Sequence, residues 1–281
     1  MISTNLLGIL SAITSALVWG SGDFSGGFAA RRWHSLQVLV LSALSGIGVL
    51  ILGAFVLQEG FPAIGSSLWA AAAGAAGTLG VAALYRALGQ ENAANIAPVS
   101  AVIGAGLPVA FGMLTEGAPE PLRLAGFGLA LAGIWLVSRA PGGSGRVNRR
   151  GLGLAGLAGL GFGGFFILIA QVQVGLVFSP LIISRSITFL LSVLLLRLAG
   201  LPLPAARGNP LALLAGVLDA GGNIFFLYAR QHTRLDVAVV LSSLYPAVTV
   251  LLAFLIQKQK VSLSQWLGVA ACVAAIGLIT G

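Results

Sequence analysis

At 281 residues the chain is 58% hydrophobic and 8% charged, with a mean hydropathy of +1.02, which leaves too little charge to coat a soluble globule. Its net charge of +8 is strewn singly or in pairs between apolar runs, without the contiguous basic stripe and interleaved aromatics of a nucleic-acid surface. The single cysteine, Cys272, lies in an apolar run, so an intrachain disulfide is excluded and a small buried side chain is expected.

A bilayer core about 30 Å thick takes roughly 20 apolar residues per helix, and ten such runs follow one another along the chain. The first, Leu6 to Phe28, follows a start with no basic stretch ahead of it, so it is expected to span and not to be a cleaved leader. The others are Leu36 to Leu57, Ser66 to Leu88, Ile96 to Leu114, Leu122 to Val137, Leu152 to Val174, Leu181 to Leu198, Pro210 to Tyr228, Val237 to Ile256 and Gln265 to Thr280. The fifth and tenth are short, which implies little tilt or a place behind neighbours. Connections such as Glu59 to Pro62, Glu116 to Pro121 and Gly200 to Pro204 carry Pro, Gly or charge and are too short for a soluble domain. The 40 glycines sit inside apolar stretches such as Gly153 to Gly164, where small residues let helices approach closely.

The longest polar connection, Arg139 to Arg150, falls near the middle and separates five runs from five. The expected organisation is a first repeat at 1–140, a basic connecting loop at 141–150 and a second repeat at 151–281. Sliding the halves by 142 residues sets Gly126 on Gly268, Ser100 on Ser242 and Gly104 on Pro246; at 143, Trp19-Gly20 falls on Phe162-Gly163 and Tyr85 on Tyr228. With an odd number of spans per half, the second half must enter the membrane from the opposite side. The fold class is therefore an all-α polytopic membrane protein with ten transmembrane helices in two inverted five-helix repeats.

Ten helices as five plus five, Trp19-Gly20 late in the first, Ser243 to Pro246 in the ninth and Gly-rich fifth and tenth helices together resemble the EamA-type permeases of the drug/metabolite transporter superfamily. The resemblance implies a secondary active transporter in a bacterial inner membrane that moves small metabolites, often amino acids or drugs, outward by alternating access. No cofactor, metal or catalysis is expected; the partners are a small-molecule solute and lipid, with a homodimer left open. An intramembrane hydrolase centred on Ser25 and a non-transporting scaffold subunit are the rival classes. Gly104 stands where the second half has Pro246, with Pro108 nearby, so a site at that position is expected to be asymmetric, with Pro246, Gly104 and Pro108 as hinge candidates.

About 11 of the 15 Lys and Arg fall in one alternate set of loops, and that set is expected to be cytoplasmic. It includes the loop 139–150, and both termini are then outside. The family resemblance implies termini inside; the charge count is preferred because four arginines in one short central loop resist export.

A charge at the bilayer centre costs about 2.5 to 3.5 kcal/mol on the insertion scale, so Asp23, Arg185 and Asp219 require explanation. Asp219 has Asn223 one turn on, with Tyr228 further along, and is a candidate for proton exchange; the alternative is an ion pair with Arg185. Arg185 is also close enough to its helix end to snorkel. Asp23 stands among Gly20, Gly22, Gly26 and Gly27, which suggests either a broken helix that binds solute or a helix end near Gly22 with Asp23 as its cap. Trp19, Tyr85 and Tyr245 are candidate pocket walls, since an aromatic face plus a hydroxyl holds an amphipathic solute. Ser242, Ser243 and Pro246 weaken the backbone ladder of the ninth helix, so an unwound segment is expected there. Trp33, Trp69 and Trp266 are interfacial anchors. His34 and His232 are placed in loops, and neither a metal-binding His motif nor a phosphate-binding Gly loop occurs.

Overall fold

The computed structural model describes residues 3–88, 93–139 and 149–280. Its helices are α1 (Thr4–Ala29), α2 (Ser35–Val56), α3 (Ile64–Leu88), α4 (Ala93–Glu116), α5 (Pro121–Ser138), α6 (Arg149–Ile169), α7 (Phe178–Leu198), α8 (Pro210–His232), α9 (Leu235–Ser242), α10 (Tyr245–Gln257) and α11 (Leu263–Thr280). Among the described residues ten segments are long and apolar enough to cross a bilayer, α9 and α10 together forming the ninth. The basic connecting loop lies outside the described residues between 140 and 148.

Local chemistry sets the helix ends. Ser3 caps α1 by accepting from the Leu6 amide at 3.2 Å, and His34 with Gln37 forms a capping box on α2. Pro121 and Pro210 stand at the starts of α5 and α8, where an amide proton is not needed. The sixth span is shorter than its apolar run: α6 stops at Ile169, not Val174. The polar Gln171 and Gln173 turn the chain there, the Gln173 amide donating to Ser66 Oγ at 2.9 Å, and Gly175 takes a φ of +90°. His232 is the last residue of α8 and not a loop residue, its Nδ1 lying 2.8 Å from the Tyr228 carbonyl.

The two halves interleave. α1 packs on α8 and α10, while its counterpart α6 packs on α3 and α4; α5 and α11, the fifth span of each half, pack chiefly on each other. Equivalent spans run in opposite senses. Gly126 of α5 faces Ile279 of α11 and Gly133 faces Cys272, an antiparallel crossing. The same holds for α2 and α7, where Gly53 meets Phe178 and Gly46 approaches Arg185. The halves are therefore inverted repeats joined by cross-half contacts.

Glycine makes those contacts close. A β-carbon on Gly161 would sit 2.5 Å from the Gly80 Cα and 2.7 Å from the Ala76 carbonyl oxygen, so α3 and α6 touch backbone to backbone.

The two membrane faces differ. One carries the loops of Glu59 and Glu116 and is laced across the halves. Glu59 accepts from the Val177, Phe178 and Ser179 amides at 2.7 to 3.1 Å and so caps α7. Glu116 pairs with Arg230 at 3.0 Å and accepts from the Leu235 amide at 3.2 Å. Arg234 pairs with Asp236 at 2.8 Å and donates to the Glu116 carbonyl at 3.0 Å and that of Gly117 at 2.6 Å. Hydrogen bonding to Asp236, then the charges of Asp236 and Glu116, raises the Arg234 pKa against the opposing effect of burial, so this clamp keeps its charge. On the opposite, basic face the described cross-half hydrogen bonds include Arg31 to Gln257 at 2.8 Å and Gln37 to the Pro202 carbonyl at 3.0 Å.

Candidate functional site

The aromatic side chains converge where α1, α6, α8 and α10 meet. Trp19 is buried, and its ring lies 5.7 Å from Phe166 edge-on, 5.9 Å from Phe226 stacked and 6.3 Å from Tyr245 edge-on. Phe166 and Phe226 are themselves 4.8 Å apart. Room for the indole comes from Gly222, where a β-carbon would collide with the Trp19 ring. Hydroxyls lock the junction: Ser15 donates to the Gly222 carbonyl at 2.8 Å, buried Ser242 to that of Ala12 at 3.3 Å, and Thr249 to that of Gly20 at 3.1 Å.

Beside this cluster the ninth span is interrupted. α9 ends at Ser242 and α10 begins at Tyr245, with Pro246 in its first turn. α4, the equivalent span, stays helical through Pro98 and Pro108, so the two halves differ here. A cavity of about 20 Å³ is lined by Ala101, Gly104, Ala105, Phe162, Phe166, Ser243 and Tyr245. It has room for about one water molecule.

Asp23 lies one turn beyond Trp19 on α1. α1 is continuous from Thr4 to Ala29, which corrects both sequence readings of this segment: the glycines neither break the helix nor end it near Gly22. They serve packing instead, Gly20 against Val248 and Gly22 against Leu218. Ala16, Gly20, Asp23 and Gly27 form one stripe along α1. The first two are buried and the last two, nearer the basic-face end of α1, are exposed.

Arg185 and Asp219 form an ion pair linking α7 to α8, with side chains 13% and 33% exposed. Asn223 donates to the Asp219 carbonyl at 2.7 Å and its carboxylate at 3.3 Å. Tyr228 does not join them: nine residues beyond Asp219 it points roughly 180° around the helix, is 37% exposed and lies tilted against the His232 ring at 4.3 Å. Tyr85 belongs to α3 and its side chain lies outside the described residues. Phe166 and Phe226 were not among the sequence candidates; the Phe165-Phe166 pair in the Gly-rich α6 was the available signal. Ser25 is buried and donates to the Ser21 carbonyl at 2.9 Å, and no His approaches it within hydrogen-bonding distance among the described residues.

A family model described as the EamA-like transporter family matches both halves, at residues 6–139 and 149–281. The chain belongs to the EamA-like transporter family. Members are membrane transporters of small solutes and not enzymes. A solved structure titled "Crystal structure of protein" is 18% identical, covers 97% of this EamA-like chain and 96% of its own, and superposes with a TM-score of 0.77; that likeness shows the fold. No curated protein matches the chain.

Proposed function

We propose that the protein is a secondary active exporter that moves small amphipathic solutes, amino acids or similar metabolites, by alternating access. The observation that carries this reading is the aromatic junction of Trp19, Phe166, Phe226 and Tyr245, contributed by both halves and set against the interrupted ninth span. Solute binds between the halves, against Trp19, Tyr245 and Ser243, as rocking of one half on the other enlarges the small cavity. Pro246 and Ser242 on one side, and Gly104 and Pro108 on the other, are the points about which the spans bend. The Arg185–Asp219 pair with Asn223 serves the scaffold, joining α7 to α8.

Export is the direction that the family resemblance implies. Asp23 is exposed near the basic-face end of α1, which is the cytoplasmic side in this reading, and the opposite face is bridged by the Glu59, Glu116 and Arg234 contacts. Purified protein in liposomes tests the reading with counterflow of labelled phenylalanine and leucine. The wild type is expected to exchange solute, and Trp19→Ala to lose about tenfold or more of the flux while keeping its helical content. Undiminished flux in that variant removes the junction from the solute path. Absence of solute-dependent flux or thermal stabilisation across amino acids, nucleosides, sugars and cationic drugs leaves the scaffold reading in place.

A further inference from the structure

Of the three ionisable side chains deep within the spans, two neutralise each other: Arg185 is engaged by Asp219. Asp23 has no ion pair or side-chain hydrogen bond among the described residues, and Arg31, nearest to it in sequence among the cations of α1 and its following turn, is committed to Gln257 and to the face of Phe28. The charge left over inside the membrane is thus a single carboxylate. It sits six residues, or about 9 Å, from the basic-face end of α1. It is exposed on a different side of α1 from the exposed leucines Leu10 and Leu17. Above it, on the same side of α1, stands the indole of Trp19, with the Tyr245 ring against that indole.

A carboxylate one helical turn from an aromatic cluster is chemistry that recognises a cation with an apolar body, because ring faces and a carboxylate both attract positive charge while the rings pack the apolar part. The same surroundings disfavour an anion. The nearest free positive charges lie on the rim of the basic face, where water screens them.

We infer that the solute site takes organic cations, an ammonium group joined to an apolar or aromatic body, with Asp23 as the counter-ion and Trp19 and Tyr245 as the wall. The inference rests on the transport reading and deepens it. An organic cation entering from the basic face meets Asp23 first and Trp19 next. A zwitterionic amino acid presents its ammonium to the same carboxylate, but its own carboxylate finds no free cation there, so it binds more weakly than the corresponding amine.

Titration of the purified full-length protein in detergent decides the matter, with benzyltrimethylammonium as the probe, its neutral carbon isostere neopentylbenzene, and the anion 3-phenylpropionate. Benzyltrimethylammonium is expected to bind saturably and raise the thermal midpoint. Asp23→Asn is expected to weaken it by about tenfold or more, with Asp23→Glu retaining most of the binding. Equal binding of the anion or the neutral isostere to wild type overturns the inference without any variant, as does equal affinity of the cation for a folded Asp23→Asn protein. Either result, accompanied by counterflow of a neutral or anionic solute in liposomes, leaves the transport reading standing and removes only the charge preference.

Discussion

Asp23 and Asp219 are the same residue type in the same kind of apolar helix, yet their neighbours give them different parts. Asp219 receives a guanidinium from α7 and an amide from Asn223 one turn on. Removing one partner of such a pair strands the other charge, whereas removing both leaves an apolar contact. Arg185→Met is therefore expected to destabilise the protein by about 2 to 3 kcal/mol, and Arg185→Met with Asp219→Leu to recover most of that loss. Thermal unfolding in detergent checks the order; a double variant less stable than the single one would mean the pair itself stabilises the fold. Asp23 was legible as an oddity because a carboxylate in an apolar run is expensive. Its lack of a partner was not, since that depends on which helices surround it.

The helices owe their contacts to where glycine faces a neighbour, not to how much glycine they contain. On α6, Gly161 lies against the backbone of α3, while Gly156, less than two turns away, has nothing within 4 Å of the point a β-carbon would occupy. Gly161→Leu is expected to cost about 1 to 3 kcal/mol or more through overpacking, and Gly156→Leu to change stability by less than about 0.5 kcal/mol. Equal midpoints for the two variants in a thermal melt would contradict the close crossing. The interruption between α9 and α10 is also an element-scale feature. Pro246 and the serines made that segment weak on paper, but α4 carries two prolines, Pro98 and Pro108, and remains helical. Proline content alone does not decide whether a helix breaks; neighbours that satisfy or strain the freed backbone groups do.

For the whole molecule, interleaved inverted halves place Glu59 and Glu116 on one face and Arg31, Arg207 and Lys258 on the other. Cys272 is buried, so it is a silent background for thiol labelling. In intact cells Gln58→Cys is expected to react with a membrane-impermeant maleimide and Arg207→Cys only after permeabilisation. The reverse pattern would put the termini in the cytoplasm. The cross-half contacts of Glu59, Glu116 and Arg234 tie the halves together on that face.

The number of spans, their alternation and their division into five and five follow from the sequence by itself, because a stretch of about 20 apolar residues is insoluble in water whatever its neighbours. An odd count per half then requires inversion without further information. Partner choice was decided only in three dimensions. That Trp19 meets Phe166, Phe226 and Tyr245, that Arg185 reaches Asp219 and that Asp23 stays unpaired among the described residues all depend on which helix faces meet. In lipid every helix surface is comparably apolar, so the pattern along the chain carries little information about which face meets which; close packing supplies it.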